Sequence, residues 1–250
     1  MIRLVTFDAL HTLIAPRKPI HVQYSEVFSS YLGALPPDAV SRSFKLALKQ
    51  LQVEKPLYSA GATGWWSEVI FRTAMGAGAD ARAVEKHIDT IVPVLMKRFS
   101  SREGYRLFDD TLETLRKLQE MGVQTGLITN SDARIAAVLE DLGIWEYLSP
   151  VLISETERVE KPSLSIFLAA CARGRALPSE TLHVGDDFRD DYIGADNAGL
   201  HALLLRRTGS KGGGEQKGIE KMDPGAIKSL NIVNELYDVV AWIERRNADM

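Results

Sequence analysis

Apolar positions change their spacing twice along the chain, and the two changes divide it into three stretches. Ile2, Leu4, Val5 and Phe7 make a short, nearly continuous apolar run that reads as a buried strand, stopped by a single carboxylate, Asp8. After Leu13 the spacing turns helical. Val22, Val27, Phe28 and Tyr31 mark one face, and Val40, Phe44, Leu48 and Leu51 recur at i, i+4, i+8 and i+11. Trp65, Trp66, Val69, Ile70 and Ala74 form a third amphipathic segment, opened by Thr63 and closed near Gly76 and Gly78. A fourth runs from Asp80 to about Phe99 through Val84, Ile88, Ile91 and Leu95, and Pro93 inside it predicts a kink or a break. Four helices with no strand between them predict a separate helical insertion.

From about Tyr105 strands and helices alternate. Asp110 is placed to cap a helix bearing Leu112, Leu115 and Leu118 and stopped at Gly122. Strands are expected at 123–129, 151–154, 181–184 and 201–205, separated by helices through Ile135, Val138 and Leu142, over 163–173 and over 192–198. A glycine-rich surface loop is expected over 206–221, then an amphipathic helix over 232–245. Alternation of this kind argues for an α/β fold with a parallel sheet covered on both faces. Parallel strands place their carboxyl ends on one edge, where open α/β sheets bind ligands.

Composition narrows the class without changing that picture. The chain is 45% hydrophobic and 25% charged, within the range of soluble globular domains. A net charge of −3 with both signs interspersed points away from nucleic acid and anionic membranes as partners. No apolar run approaches the roughly eighteen residues of a membrane span. The lone cysteine, Cys171, cannot close an internal disulfide, and the first strand starts too early to leave room for a targeting segment. A cytoplasmic protein is the expectation.

The candidate chemistry lies in four fragments, three ending predicted strands and one just ahead of a helix: Asp8; Thr129 with Asn130; Lys161 before Pro162; and Gly185-Asp186-Asp187 with Asp190 and Asp191 close behind. An ionised Asp8 can take a phosphoryl group and split one hard step into two. Thr129, Lys161 and backbone amides can hold phosphate oxygens and offset their charge. Asp186 with Asp187 or Asp191 can bind Mg²⁺, a cation that prefers oxygen ligands. Taken singly, Asp8 and Thr129-Asn130 also suit turns, and Lys161 suits a solvated surface. The four acids are harder to explain without a cation, because they would repel one another; capping by Asp187 or Asp190 accounts for part of the group only.

In this order the fragments resemble the haloacid dehalogenase-like (HAD) superfamily across essentially the whole chain. The helical insertion resembles that superfamily's cap. The resemblance implies a three-layer Rossmann-like core with a parallel sheet, built from residues 1–14 and 103–250, and an α-helical cap over 15–102. It implies Asp8 as nucleophile, Thr129 as the hydroxyl of the second motif, Lys161 as the third, and Asp186 and Asp191 as the Gly-Asp-x-x-x-x-Asp motif. It further implies Mg²⁺ held at Asp8, the main-chain carbonyl of Leu10, Asp186 and Asp191, with Ala9, Leu10 and Asn130 beside a small phosphorylated substrate.

One position departs from the pattern. Phosphatases of the superfamily carry a second aspartate two residues after the nucleophile, as general acid and base; here that residue is Leu10, and the usual glycine after it is His11. Leucine transfers no proton, and a positioned acid/base is worth ~10²–10⁴-fold. The expectation is slow turnover, least impaired for aryl and acyl phosphates, whose leaving groups are already stable anions. His11, three residues after Asp8, is the candidate substitute, the alternative being an ordinary loop residue. Two other readings stand beside a weakened phosphohydrolase. One is a metal-independent 2-haloacid dehalogenase, in which halide leaves without a proton. The other is a HAD fold kept to bind a phosphorylated ligand or a protein. Trp65 and Trp66 are expected in the core of the cap, with pocket lining as the alternative.

Overall fold

The computed structural model describes residues 1–59, 61–207 and 230–248. They fall into two compact units: Met1–Ala15, Leu107–Ser131 and Gly143–Met250 in the first, Pro16–Arg106 and Asp132–Leu142 in the second.

The first unit is a six-stranded sheet flanked by helices. Its strands are β1 (Leu4–Phe7), β4 (Gln124–Thr129), β5 (Val151–Ile153), β6 (Thr181–Gly185), β7 (His201–Leu205) and β8 (Ile232–Val233), in the order β5-β4-β1-β6-β7-β8. Every pairing is parallel. Leu4, Val5, Thr6 and Phe7 are all buried, which is why β1 reads as a continuous rather than an alternating apolar run. β4 and β5 lie on one side of β1, and β6, β7 and β8 on the other, so the order reverses at β1. In such sheets that reversal opens a crevice at the carboxyl ends of the strands. Register aligns those ends: Phe7 is level with Leu127 of β4 and Val184 of β6.

The helices of this unit are α5 (Thr111–Glu120), the short α7 (Ser154–Glu157), α8 (Leu164–Gly174), α9 (Gly194–Asn197) and α10 (Tyr237–Ala248). α8 buries Ile166, Phe167 and Ala170 against Ile128 and Leu152 of the sheet and Tyr192 beyond it. α5 ends before Gly122, whose φ of 71° is the left-handed conformation that closes many helices.

The second unit holds α1 (Ile20–Leu32), α2 (Pro37–Glu54), α3 (Ala62–Gly76) and α4 (Ala81–Arg98), joined by α6 (Arg134–Asp141). Tyr24, Phe28, Phe44, Leu51, Trp65, Ile70, Ile91 and Leu95 form its core, with the Tyr24 ring edge-on to Phe28 and Phe44. Beside that core lies a cavity of about 40 Å³, bordered by Tyr24, Phe44, Trp66, Met96, Tyr105 and Arg134 among others. Trp65 is thus a core residue. Trp66 is half-buried, faces the cavity and donates from its indole nitrogen to Asp132 Oδ2 at 2.7 Å.

Several expectations change. Pro93 lies within an unbroken α4. Burying Val84, Ile91 and Leu95 along one face, at about 1.5–3 kcal/mol each, outweighs the ~3 kcal/mol a proline costs inside a helix. The segment 232–245 is not one helix: Ile232 and Val233 pair with Leu204 and Leu205 as an edge strand, and α10 starts only at Tyr237. Residues 188–193 form a wide π-type turn ahead of α9 where one helix over 192–198 was expected. Asp110 precedes α5 but makes no side-chain cap, because its carboxylate is taken by Arg207 and the Leu236 N–H. Two strands without a sequence signal, β2 (Ile14–Pro16) and β3 (Tyr105–Leu107), pair with each other. Beyond Arg207 the glycine-rich stretch expected as a loop lies outside the described residues. Among the described residues no helix is long and apolar enough to cross a membrane.

Candidate functional site

β1 delivers Asp8 to the crevice, and the Asp8 N–H extends the ladder by donating to Val184 O at 2.9 Å. The next residues fold into a tight turn. Leu13 and Ile14 N–H donate to Ala9 O, and His11 N–H donates to Ile14 O at 2.7 Å. Closing that turn puts His11 at a φ of 66°, in the left-handed region where glycine is at home. The backbone thus accounts for the glycine usual there, and His11 adopts its conformation nonetheless. Ala9 is buried and Leu10 half-buried.

β4 brings Thr129, buried, to the same edge, followed by Asn130. The Asn130 side chain is committed to the main chain of Lys161: its Nδ2 donates to Lys161 O at 2.9 Å and its Oδ1 accepts from Lys161 N–H at 2.8 Å. This reciprocal pair fixes the Lys161 backbone, and the side chain then crosses into the interior. Its ammonium, 3% exposed, donates to Asp8 Oδ1 at 2.7 Å and Asp191 Oδ1 at 2.6 Å. The structure therefore joins three of the expected residues through one cation, and the solvated reading of Lys161 fails.

β6 ends at Gly185 and supplies the acids. Asp187 caps the turn that follows, its Oδ1 accepting from Arg189 and Asp190 N–H at 2.8 Å each. Asp191 turns back toward the strand. Its Oδ1 accepts from Lys161 and His183, and its Oδ2 accepts from Asp187 N–H at 2.9 Å. A Cβ at Gly185 would fall 2.2 Å from the Asp191 carboxylate, so only glycine lets that side chain lie against the strand. Asp186, half-buried, has its main-chain oxygen held by Arg206 from the end of β7. One carboxylate oxygen from each of Asp8, Asp186 and Asp191 lies within 4.8 Å of the other two.

Charge at this cluster is uneven. Burial raises Asp8 to about 6; Lys161 opposes the rise and Asp191 adds to it. Asp186 is raised to about 8, first by burial and then by the charges of Asp8 and Asp191. Asp190, nearby, is raised to about 6 by burial and by Asp187. Asp191 goes the other way: burial alone would raise it, but Lys161 and His183 hold it well below the usual carboxylate range. One lysine does not balance three carboxylates, and the protein answers by favouring a proton on Asp186. A hard divalent cation would replace that proton, and an all-oxygen donor set of this spacing suits one.

Two participants have no motif behind them. His183, inside β6, bonds Asp191; Thr6, inside β1, bonds His183. The available signal was an ionisable residue in an otherwise apolar strand. His11 makes no side-chain hydrogen bond among the described residues, and burial pushes its pKa down.

A family model described as haloacid dehalogenase-like hydrolase matches residues 2–199. Among curated proteins, haloacid dehalogenase-like hydrolase domain-containing protein 3 of Bos taurus is 31% identical over 234 residues, 92% of this chain and 87% of its own. A ribulose-1,5-bisphosphate 5-phosphatase of Halopiger xanaduensis is 35% identical over 140 residues, 56% of this chain and 59% of its own. The crystal structure of a 2-haloacid dehalogenase from Pseudomonas syringae matches 98% of this chain and 99% of its own, with a TM-score of 0.67 at 24% identity.

Proposed function

The chain belongs to the haloacid dehalogenase-like hydrolases, and from that premise we propose a Mg²⁺-dependent phosphohydrolase that works slowly through an aspartyl-phosphate at Asp8. The observation that carries the reading is the Lys161 ammonium shared between Asp8 and Asp191 beside a third carboxylate, Asp186. It provides an ionisable nucleophile, a fixed cation for phosphate oxygens and an acidic donor set for a divalent ion. Asp8, Asp186, Asp191 and the Leu10 carbonyl are the groups assigned to Mg²⁺. When bound, the ion supplies charge compensation between the phosphate and the carboxylates.

The chain's own residues divide the reaction as follows. An Asp8 carboxylate oxygen attacks phosphorus while the bond from phosphorus to the leaving oxygen breaks, and that oxygen departs with the electron pair. Lys161, Thr129 and the Ala9 and Leu10 N–H groups, which the turn's own hydrogen bonds leave over, offset charge on the remaining phosphate oxygens. Water then attacks phosphorus, and Asp8 is released as a carboxylate. Each half needs a proton moved, given to the leaving group and later taken from water, and Leu10 does neither. His11 is not assigned that work: burial pushes its pKa below the ordinary value, which makes the ring a poor acid near neutrality. Aryl and acyl phosphates, which leave as stable anions, are therefore the preferred substrate class. The phosphatase name of the Halopiger relative supports phosphoester chemistry.

A second reading, 2-haloacid dehalogenation, is favoured by Leu10 and by the match to the Pseudomonas enzyme. The acidic cluster opposes it: burial and the charges of Asp8 and Asp191 already push Asp186 up to about 8, and a haloacid would bring one more carboxylate into the same crevice with no cation to offset it. Phosphate release from p-nitrophenyl phosphate and acetyl phosphate, measured with and without Mg²⁺, separates the two when set beside halide release from 2-chloropropionate. Release that needs both the metal and Asp8, and is lost in Asp8→Asn, is expected. Phosphate release indifferent to Asp8→Asn sinks the phosphohydrolase, and metal-free halide release installs the dehalogenase.

A further inference from the structure

Behind the four residues of the site runs a buried chain of hydrogen bonds that the reaction so far leaves without a task. Thr6 Oγ1 lies 2.9 Å from His183 Nδ1, His183 Nε2 lies 3.1 Å from Asp191 Oδ1, and that oxygen lies 2.6 Å from Lys161 Nζ, which reaches Asp8 at 2.7 Å. Thr6, His183, Asp191 and Lys161 are all at most 3% exposed. The Phe167 ring packs nearly perpendicular to the imidazole, at 79° with ring centres 5.1 Å apart.

Chemistry settles the direction of the bond to Asp191. The Asp191 carboxylate only accepts, so the proton between it and His183 sits on Nε2. In the tautomer with this single ring proton Nδ1 is bare and accepts from the Thr6 hydroxyl. Thr6 thereby fixes the tautomer, and the tautomer supplies Asp191 with a donor that never leaves. Asp191 Oδ1 carries two hydrogen bonds and Oδ2 accepts a third, from Asp187 N–H. Three donors and the glycine at 185 leave that carboxylate one orientation.

We infer that His183 is a positioning residue for phosphoryl transfer: through the path Thr6–His183–Asp191 it locks the carboxylate that aims the Lys161 ammonium at Asp8. The inference rests on Asp8 being the reacting carboxylate, as proposed above. It divides the acids by task. Within the donor set for the cation, Asp191 has the added task of anchoring Lys161, which Asp186 does not share. Without the imidazole donor, Asp191 Oδ1 turns to recover a partner and Lys161 loses one of the two points that hold it.

Two amides of different reach test this. A glutamine at 183 places its NH₂ where Nε2 stands and can still donate to Asp191; an asparagine reaches only as far as Nδ1. Both bury an amide in the same strand, so the contrast between them reports reach rather than lost stability, and thermal melts of both check that they fold. His183→Asn is expected to lower kcat for p-nitrophenyl phosphate about 10–100-fold, the usual cost of losing such a support, with KM changed less than about threefold. His183→Gln is expected to stay within about threefold of the parent. A ¹⁵N-histidine spectrum of the parent protein should show a neutral ring protonated at Nε2, and Thr6→Val should disturb that signal. Equal losses in the two amide variants, or a ring protonated at Nδ1 alone, overturn the inference. If Asp8→Asn leaves turnover intact, the phosphohydrolase reading falls by itself, and the nitrogen spectrum still decides how His183 is bonded.

Discussion

In the proposed reaction Leu10 stands where a proton would be handled, and the turn around it is fully formed. Asp8 is buried against Lys161, the Ala9 carbonyl closes the turn, and His11 holds a left-handed backbone at a φ of 66°. Restoring the missing group is therefore a local change. Leu10→Asp is expected to raise turnover of an alkyl phosphate by at least about tenfold, toward the ~10²–10⁴ a positioned acid/base supplies; steady-state phosphate release measures it. An unchanged rate would mean that proton transfer is not limiting. His11→Gly suits the left-handed turn and removes the imidazole, so turnover should change less than about threefold by the same assay, well short of an acid/base contribution. The carboxylates and Lys161 were legible in the sequence because each sits beside a strand end or helix start, and strand ends can be read from apolar runs. His183 and Thr6 were not, because hydrogen bonds between neighbouring strands follow from register, and register is not written in any one segment.

Among the elements, the ties that hold the strand ends together lie outside the motifs. Arg207, just past β7, donates from Nη1 and Nη2 to both oxygens of Asp110 ahead of α5, and from Nη2 also to Thr12 O in the first turn. Its guanidinium stacks 3.8 Å from the centre of the Phe108 ring, and Asp110 also accepts from Leu236 N–H before α10. One ion pair, with side chains 6% and 7% exposed, thus joins four segments. Removing one partner of a buried pair strands the other charge. Asp110→Asn should cost about 3–5 kcal/mol, read as a lowered midpoint in urea, and a loss under 1 kcal/mol would show that the pair carries little. Long amphipathic helices and buried strands were legible by period. The three-residue strands β2 and β3 and the two-residue β8 were not, since pairing rather than pattern defines them. Pro93 failed as a breaker because three buried side chains on α4 outweigh it.

For the whole molecule, the acidic crevice sets a relation between pH, cation and stability. Asp186 is raised to about 8 from an ordinary value near 3.8. Between those values the folded protein holds a proton that the unfolded chain has released. Stability from this group is therefore greatest at low pH and falls as pH rises through the window. A divalent cation that replaces the proton binds more tightly as pH rises. The melting temperature should consequently gain more from millimolar Mg²⁺ at about pH 8.5 than at about pH 5.5, and by more in the parent than in Asp186→Asn. Equal gains at both pH values, or an unaltered gain in the variant, would place the cation elsewhere. The fold as a whole was legible because order along the chain decides much of an α/β sheet, whereas the assignment of residues 132–142 to the helical unit depends on contacts no spacing reveals. The most direct measurement of the central claim is the mass of the intact protein, acid-quenched seconds after mixing with acetyl phosphate and Mg²⁺. With no base at position 10 to activate water, the aspartyl-phosphate should accumulate: a single phosphoryl increment, mapped by peptide fragmentation to Asp8 and missing from Asp8→Asn. A protein whose mass stays unchanged while phosphate is released, or an increment that survives Asp8→Asn, contradicts the account.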